Sequence, residues 1–166
     1  VRTVVETRDH SRWWPHTHGR AALVPWRLEL QSAGVYIEAG AGRLGFREFE
    51  LDQTGGRVQF VVNGVPVFCR GACWISADIL ALQATPARLR QLLILARDAG
   101  VNMLRVSGTA TYESDEFYAL CDELGILVWQ DFMFANFDYP FDDARFRADV
   151  DAEIAQQVNR LKQHAC

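Results

Sequence analysis

The sequence predicts a mixed chain: β-rich over its first part, then built from the opening units of a parallel (β/α) barrel. Apolar and polar residues alternate with period two in stretches up to about residue 68. After Gly71 helical apolar stripes take over, and the unit helix, glycine, short apolar strand occurs twice. Strands that alternate with helices make a parallel sheet. The glycines that end the two units, Gly100 and Gly125, stand 25 positions apart, near the ~30-residue scale of a βαβ unit.

Each element has a local reason. Val24, Trp26, Leu28 and Leu30 alternate with Pro25, Arg27 and Glu29, which marks a half-buried strand. Val35 to Glu38 and Gly45 to Leu51 are shorter strand candidates between glycine-rich turns. Val58 to Val62 and Val65 to Phe68 flank Asn63-Gly64. That pair predicts a hairpin, because both residues tolerate the positive φ of a type I′ turn. Pro66 donates no amide hydrogen, so its amide position should face away from the ladder.

Thr85 is the expected N-cap of a first helix, with Pro86 as its first residue. Leu89, Leu92, Leu93 and Ala96 make its apolar stripe, and Gly100 ends it in a left-handed conformation. Val101 to Val106 follows as a strand. Ser114 caps a second helix, with Asp115 and Glu116 favoured near its positive end. Its stripe is Phe117, Leu120, Cys121 and Leu124, and Gly125 ends it before a strand from Ile126 to Asp131. A third helix should begin near Asp142 or Asp143 and bury Phe146, Val150, Ile154, Val158 and Leu161. Strands near 68–73, 101–106 and 126–131 would supply three of the eight units in a barrel of ~250 residues. The expectation is therefore a fragment whose last helix is followed by a fourth strand. Its outer strand would be an unpaired edge, which favours self-association.

Composition narrows the function. Hydrophobic residues are 49% and charged residues 23%, as in ordinary globular proteins. A net charge of -4 argues against nucleic acid, whose phosphates need clustered Lys and Arg. No apolar run approaches the ~20 residues of a membrane span. The opening Val1-Arg2-Thr3-Val4-Val5 lacks the pattern of a secretory leader, and the compartment stays open between cytoplasm and periplasm. Cys69 and Cys73, read as lying in one strand, would stand roughly 13 Å apart, too far for a disulfide. They read as small core residues, and unpaired thiols fit a reducing compartment. His16 and His18 would share one side of a strand, but no third ligand is nearby, and loop histidines are the simpler reading. Asp138, Asp142 and Asp143 lack the ligand spacing of a calcium loop and read as a solvated loop and helix cap. No metal and no cofactor are expected.

Barrel active sites lie at the carboxyl ends of the strands. Along 101–107 Met103, Arg105 and Ser107 share a face, while Leu104 and Val106 share the helix-packing one. Leu127, Trp129 and Asp131 share a face of the next strand, with Ile126 and Val128 opposite. Arg105, Trp129 and Asp131 thus come together near the mouth. Arg105 and Asp131 would either tie two strands together or form the polar floor of a ligand pocket, with Trp129 or Trp74 as its apolar wall.

Three blocks resemble glycoside hydrolase family 2, and within it the β-mannosidase branch. Trp14-Pro15-His16-Thr17-His18-Gly19, the strand to Leu30 and Gly45-Phe46-Arg47 are similar to the latter half of that family's immunoglobulin-like sandwich. Val62-Asn63-Gly64-Val65-Pro66-Val67-Phe68 through Arg70-Gly71-Ala72-Cys73-Trp74 resembles the linker hairpin and first barrel strand. Asn102-Met103-Leu104-Arg105-Val106 through Tyr112-Glu113, Phe117-Tyr118 through Cys121-Asp122-Glu123-Leu124-Gly125-Ile126, and Val128-Trp129-Gln130-Asp131-Phe132-Met133-Phe134-Ala135 form the third block. The resemblance covers nearly all of the chain beyond about residue 12. It implies residues 1–57 as the C-terminal part of an immunoglobulin-like β-sandwich, and 58–166 as about three βα units of a TIM (β/α)8 barrel.

The resemblance also implies a retaining exo-glycosidase acting on terminal β-linked sugars, most of all β-mannosides. Two glutamates would act as acid/base and nucleophile, ~5–5.5 Å apart, and both would lie beyond Cys166. No residue of this chain is expected to be catalytic, Asp131 and Glu113 included. Carried over are substrate contacts: Arg105, Trp129 and Asp131 at the barrel mouth, with Trp74 and Asp78 from the first-strand loop. The expected partner is an oligosaccharide or glycoside. Two departures stand out: Ser107-Gly108-Thr109-Ala110 where many relatives have a Trp and a glycine run, and Cys73 where the first-strand motif has Asn. The metal-site pattern of the β-galactosidase branch is not reproduced by Phe132 to Asn136. The alternative is a non-catalytic carbohydrate-binding or scaffold module of the same fold.

Overall fold

A computed structural model describes residues 10–32, 34–109 and 111–166. β1 (Val24–Ser32) and β2 (Val35–Leu44) form an antiparallel ribbon with a bulge at Leu28/Glu29. β2 runs well beyond the predicted 35–38. Gly40, Ala41 and Gly42 carry no alternation of their own, but they pair with Leu28, Arg27 and Trp26, and the Trp26 ring lies over both glycines. The predicted strand from Gly45 to Leu51 is also corrected. Phe46 makes an isolated bridge to Arg12, and β3 is only Phe49–Asp52.

β3 pairs with β4 (Gln59–Val62), and β4 pairs with β5 (Val65–Val67), all antiparallel. Asn63 and Gly64 turn the hairpin with φ of 52° and 80°, as the dipeptide requires. The 57/58 division falls in the connection between two strands of this one sheet.

The rest is helix and parallel sheet. β6 (Gly71–Trp74), β7 (Met103–Val106) and β8 (Leu127–Gln130) lie in that order. α1 (Pro86–Asp98) connects β6 to β7, α2 (Asp115–Leu124) connects β7 to β8, and α3 (Ala144–Leu161) follows. The first of these strands starts later than the predicted 68–73, because a side chain replaces the ladder below Gly71. Asn102, fully buried, accepts from the Arg70 amide at 2.7 Å and donates to the Phe68 carbonyl at 3.0 Å. Thr85 and Asp143 cap α1 and α3 as expected, whereas Ser114 makes no side-chain cap bond. Gly100 and Gly125 close the first two helices with φ of 83° and 69°.

Two apolar clusters flank the parallel sheet. On the helix side Leu104, Val106 and Ile126 pack with Leu89 and Leu93 of α1 and with Phe117, Leu120 and Cys121 of α2. Each such side chain contributes about 1.5–3 kcal/mol when fully buried. On the other side Leu127 and Met103 pack with Trp13, Val62 and Val67. Trp13 is anchored by its indole N–H, which donates to the Asp122 carbonyl at 2.7 Å. Along α3 Val150 is buried and Phe146, Ile154 and Leu161 are half-buried, while Val158 stays exposed beside an open groove. Among the described residues no helix is long and apolar enough to cross a membrane.

Candidate functional site

Parallel pairing aligns Cys73 with Arg105 and Arg105 with Trp129 in one row across the sheet. One rung below, Met103 pairs with Leu127, and both belong to the cluster around Val62 and Val67. This face therefore has an apolar floor at its amino end and turns polar toward its carboxyl end, as side-chain alternation allows. Asp131, just beyond β8, extends the ladder by donating its amide to the Val106 carbonyl at 3.0 Å.

The Arg105 Nη2 donates to Asp131 Oδ2 at 2.7 Å, and its Nε donates to Oδ1 at 3.3 Å. This fork-on-carboxylate geometry fixes both planes. Hydrogen bonding to Asp131, reinforced by its charge, raises the guanidinium pKa. The guanidinium also lies 5.8 Å from the Trp129 ring, and that ring meets Phe60 edge-on at 5.8 Å. Trp129 is 46% exposed, with Phe60 packed against it. The row thus offers an apolar indole face beside a fixed cation and carboxylate with donors and acceptors to spare, a combination that suits hydroxyl-bearing ligands.

Not every predicted site residue joins this row. Trp74 is on the other face. Its ring packs 5.3 Å from Phe117 on the helix-side cluster, and its N–H donates to Glu113 Oε1 at 2.7 Å. Side-chain alternation gives this correction a plain reason: Cys73, one position earlier, takes the place beside Arg105. Cys73 is exposed, so its reading as a core residue is also corrected. Asp78 is turned into its own loop, where its Oδ1 accepts from the Leu80 and Ala81 amides at 2.9 Å. Those bonds, the Ala81 one first, lower its carboxyl pKa.

The possible metal ligands are held elsewhere. His16 and His18 lie in a turn rather than a strand, and His16 Nε2 bonds the Val101 carbonyl at 2.8 Å. Asp143 caps α3. Asp122, His164 and Cys166 bring ligand-type atoms within 4.8 Å of one another. Both Asp122 oxygens are used, however, by His164 Nδ1 at 2.6 Å and by the Cys166 amide at 2.7 Å. Burial pushes the Cys166 thiol pKa up. This cluster was not legible in the sequence, since 42 positions separate Asp122 from His164. Its effect is to hold the 164–166 segment against the sheet, where the Val128 amide donates to the Cys166 carbonyl at 2.8 Å. A groove of about 400 Å³ runs along β8 toward α3, lined by Phe60, Trp129, Gln130, Val158 and Leu161 among others.

The loops beyond the sheet are locked together at Gly108. A Cβ there would collide with the Phe132 carbonyl, and the Gly108 carbonyl accepts from the Ala135 amide at 3.3 Å. Beyond that contact Phe134, Phe137, Tyr139, Phe141 and Phe146 form a linked set of rings.

No family model matches the chain. It is 42% identical over 167 residues to the β-mannosidase of Bos taurus, covering 97% of this chain and 18% of that protein. It is 44% identical to the β-mannosidase of Rattus norvegicus, covering 92% of this chain and 18% of that one. The structure superposes on the crystal structure of β-D-mannosidase from Dictyoglomus thermophilum with a TM-score of 0.81 and 42% identity, over 93% of this chain and 20% of that one. An exo-chitosanase from Amycolatopsis orientalis shares the fold, with a TM-score of 0.79 and 23% identity. The chain spans about a fifth of the length of these relatives. Over that span it is a β-mannosidase-like member of glycoside hydrolase family 2.

Proposed function

We propose that these residues form part of the sugar-binding wall of a retaining exo-glycosidase that removes terminal β-mannosides. The observation that carries this reading is the row Cys73, Arg105, Trp129 with Asp131 at its end, on the sheet face opposite α1 and α2. The 42% identity to β-mannosidases supports β-mannosides as the sugar. Arg105 and Asp131 orient ring hydroxyls, and Trp129 lies against the apolar face of the sugar. The two carboxylates that exchange proton and sugar would come from outside the 166 residues. Residues 58–166 read as about three βα units of a (β/α)8 barrel, and 1–57 as the end of an immunoglobulin-like sandwich. The direction of 164–166 supports the barrel, because its carbonyl bond to Val128 would start a further parallel strand along β8. Left open, that edge would promote self-association of the isolated chain.

The test is hydrolysis of p-nitrophenyl β-mannoside by the full-length protein carrying these residues and by the isolated 166-residue chain. Turnover by the former alone is the expected outcome. Turnover by the isolated chain, or none by the full-length protein, overturns the reading.

A further inference from the structure

The loop after β8 holds a feature that the row of Arg105 and Trp129 does not use. Phe137 is 75% exposed, an unfavourable place for a phenyl ring, yet its surroundings are ordered. Tyr139 meets it edge-on at 6.2 Å, and Tyr139 itself stacks on Phe146 of α3 at 6.0 Å with planes 9° apart. The Tyr139 hydroxyl donates to the Met133 carbonyl at 3.4 Å. Asn136 adopts a left-handed φ of 69°, a strained conformation that asparagine tolerates better than most residues. Asn136 and Asp138, both exposed, precede and follow Phe137 in the chain and give the same loop an amide and a carboxylate.

An exposed ring in a loop that also carries an exposed amide and carboxylate matches a pyranose, whose C–H face is apolar and whose rim carries hydroxyls. The position fits as well. Among the described residues of the three loops beyond β6, β7 and β8, exposed rings occur only in the last, at Phe137 and Phe141. Of the described residues between β7 and Tyr112, Ser107, Gly108, Thr109 and Thr111 carry no ring, and the Tyr112 hydroxyl is tied to Glu153.

We infer that Phe137 is a stacking platform for the sugar on the leaving side of the cleaved bond, and so sets preference for oligosaccharides over simple glycosides. This rests on the glycosidase reading above. The experiment compares kcat/KM of the full-length protein and its Phe137→Ala and Phe137→Trp variants on β-1,4-mannobiose and on methyl β-mannoside. Phe137→Ala should lower the mannobiose-to-methyl ratio roughly 3- to 10-fold, mostly through KM, the scale of one lost aromatic contact. Phe137→Trp should restore it. Methyl β-mannoside turnover serves as the folding control, because it lacks the second sugar. A ratio unchanged in Phe137→Ala overturns the platform and leaves the glycosidase reading standing. Failure of the unsubstituted protein on both substrates overturns the glycosidase reading and the platform with it.

Discussion

On one face of the β6–β8 sheet Leu104, Val106 and Ile126 disappear under α1 and α2; on the other, Trp129 and the Arg105 side chain keep about half their surface in water. The same strands supply both faces, one residue apart. The helix-side face is completed by chain that lies near in sequence, since α1 and α2 are the connections between its own strands. Among the described residues the opposite face is closed at its amino end, by Trp13, Val62 and Val67. Its carboxyl end keeps polar groups arranged but uncovered. Stability and ligand binding are therefore assigned to alternate residues, and substitutions should separate them.

The largest stability loss belongs to the closed face. Phe117→Ala removes a fully buried ring that touches Trp74 and Tyr118, and should cost about 3–5 kcal/mol, read as a lower urea midpoint. A loss under ~1 kcal/mol would mean that this face is looser than its burial implies. Asn102→Ala comes next. It leaves the Arg70 amide and Phe68 carbonyl unpaired below β6, at a cost of about 2–3 kcal/mol. Hydrogen exchange should accelerate at Arg70 first, and unchanged exchange there would contradict the role given to this amide.

A smaller effect sits at the outer edge of the helical layer. Glu123 accepts from Arg90 at 2.7 Å and from Arg43 at 3.2 Å. Hydrogen bonding to Arg90, with further help from Arg43, lowers its carboxyl pKa from about 4.5 to about 2. A lowered folded-state pKa stabilises above the unfolded value and loses that stabilisation as the carboxyl protonates. Stability should therefore fall between about pH 4.5 and pH 2. Glu123→Gln should remove this slope and, because the pair is partly solvated, cost no more than ~1 kcal/mol at neutral pH. An equally steep acid slope in the variant would assign it to other carboxylates.

The same two faces explain how far the sequence could be read. Helix periods, the Thr85 and Asp143 caps, the Asn63-Gly64 turn and the glycines at 100 and 125 are local signals, and the structure keeps them. Face assignment by alternation brought Arg105, Trp129 and Asp131 together correctly. The predicted first strand ends at residue 73 and leaves Trp74 in the loop beyond it, whereas Trp74 closes β6 and alternation turns it to the helix side. Asn102, 32 positions away, substitutes for the ladder at Arg70, and nothing local to residues 68–70 signals it. The length of β2 was hidden for a related reason, since its glycines pair without patterning. The Asp122–His164 pair joins distant segments, and no spacing rule would have found it.

Arg105→Ala in the full-length protein tests most directly whether the open face binds substrate. The account predicts an unfolding midpoint close to that of the unsubstituted protein, because the Arg105–Asp131 pair is largely solvated. It also predicts kcat/KM on p-nitrophenyl β-mannoside lowered ~100-fold or more, as when a substrate-orienting group is lost. Unchanged kcat/KM would show that the pair only ties β7 to β8, and would contradict the assignment of the open face to the sugar.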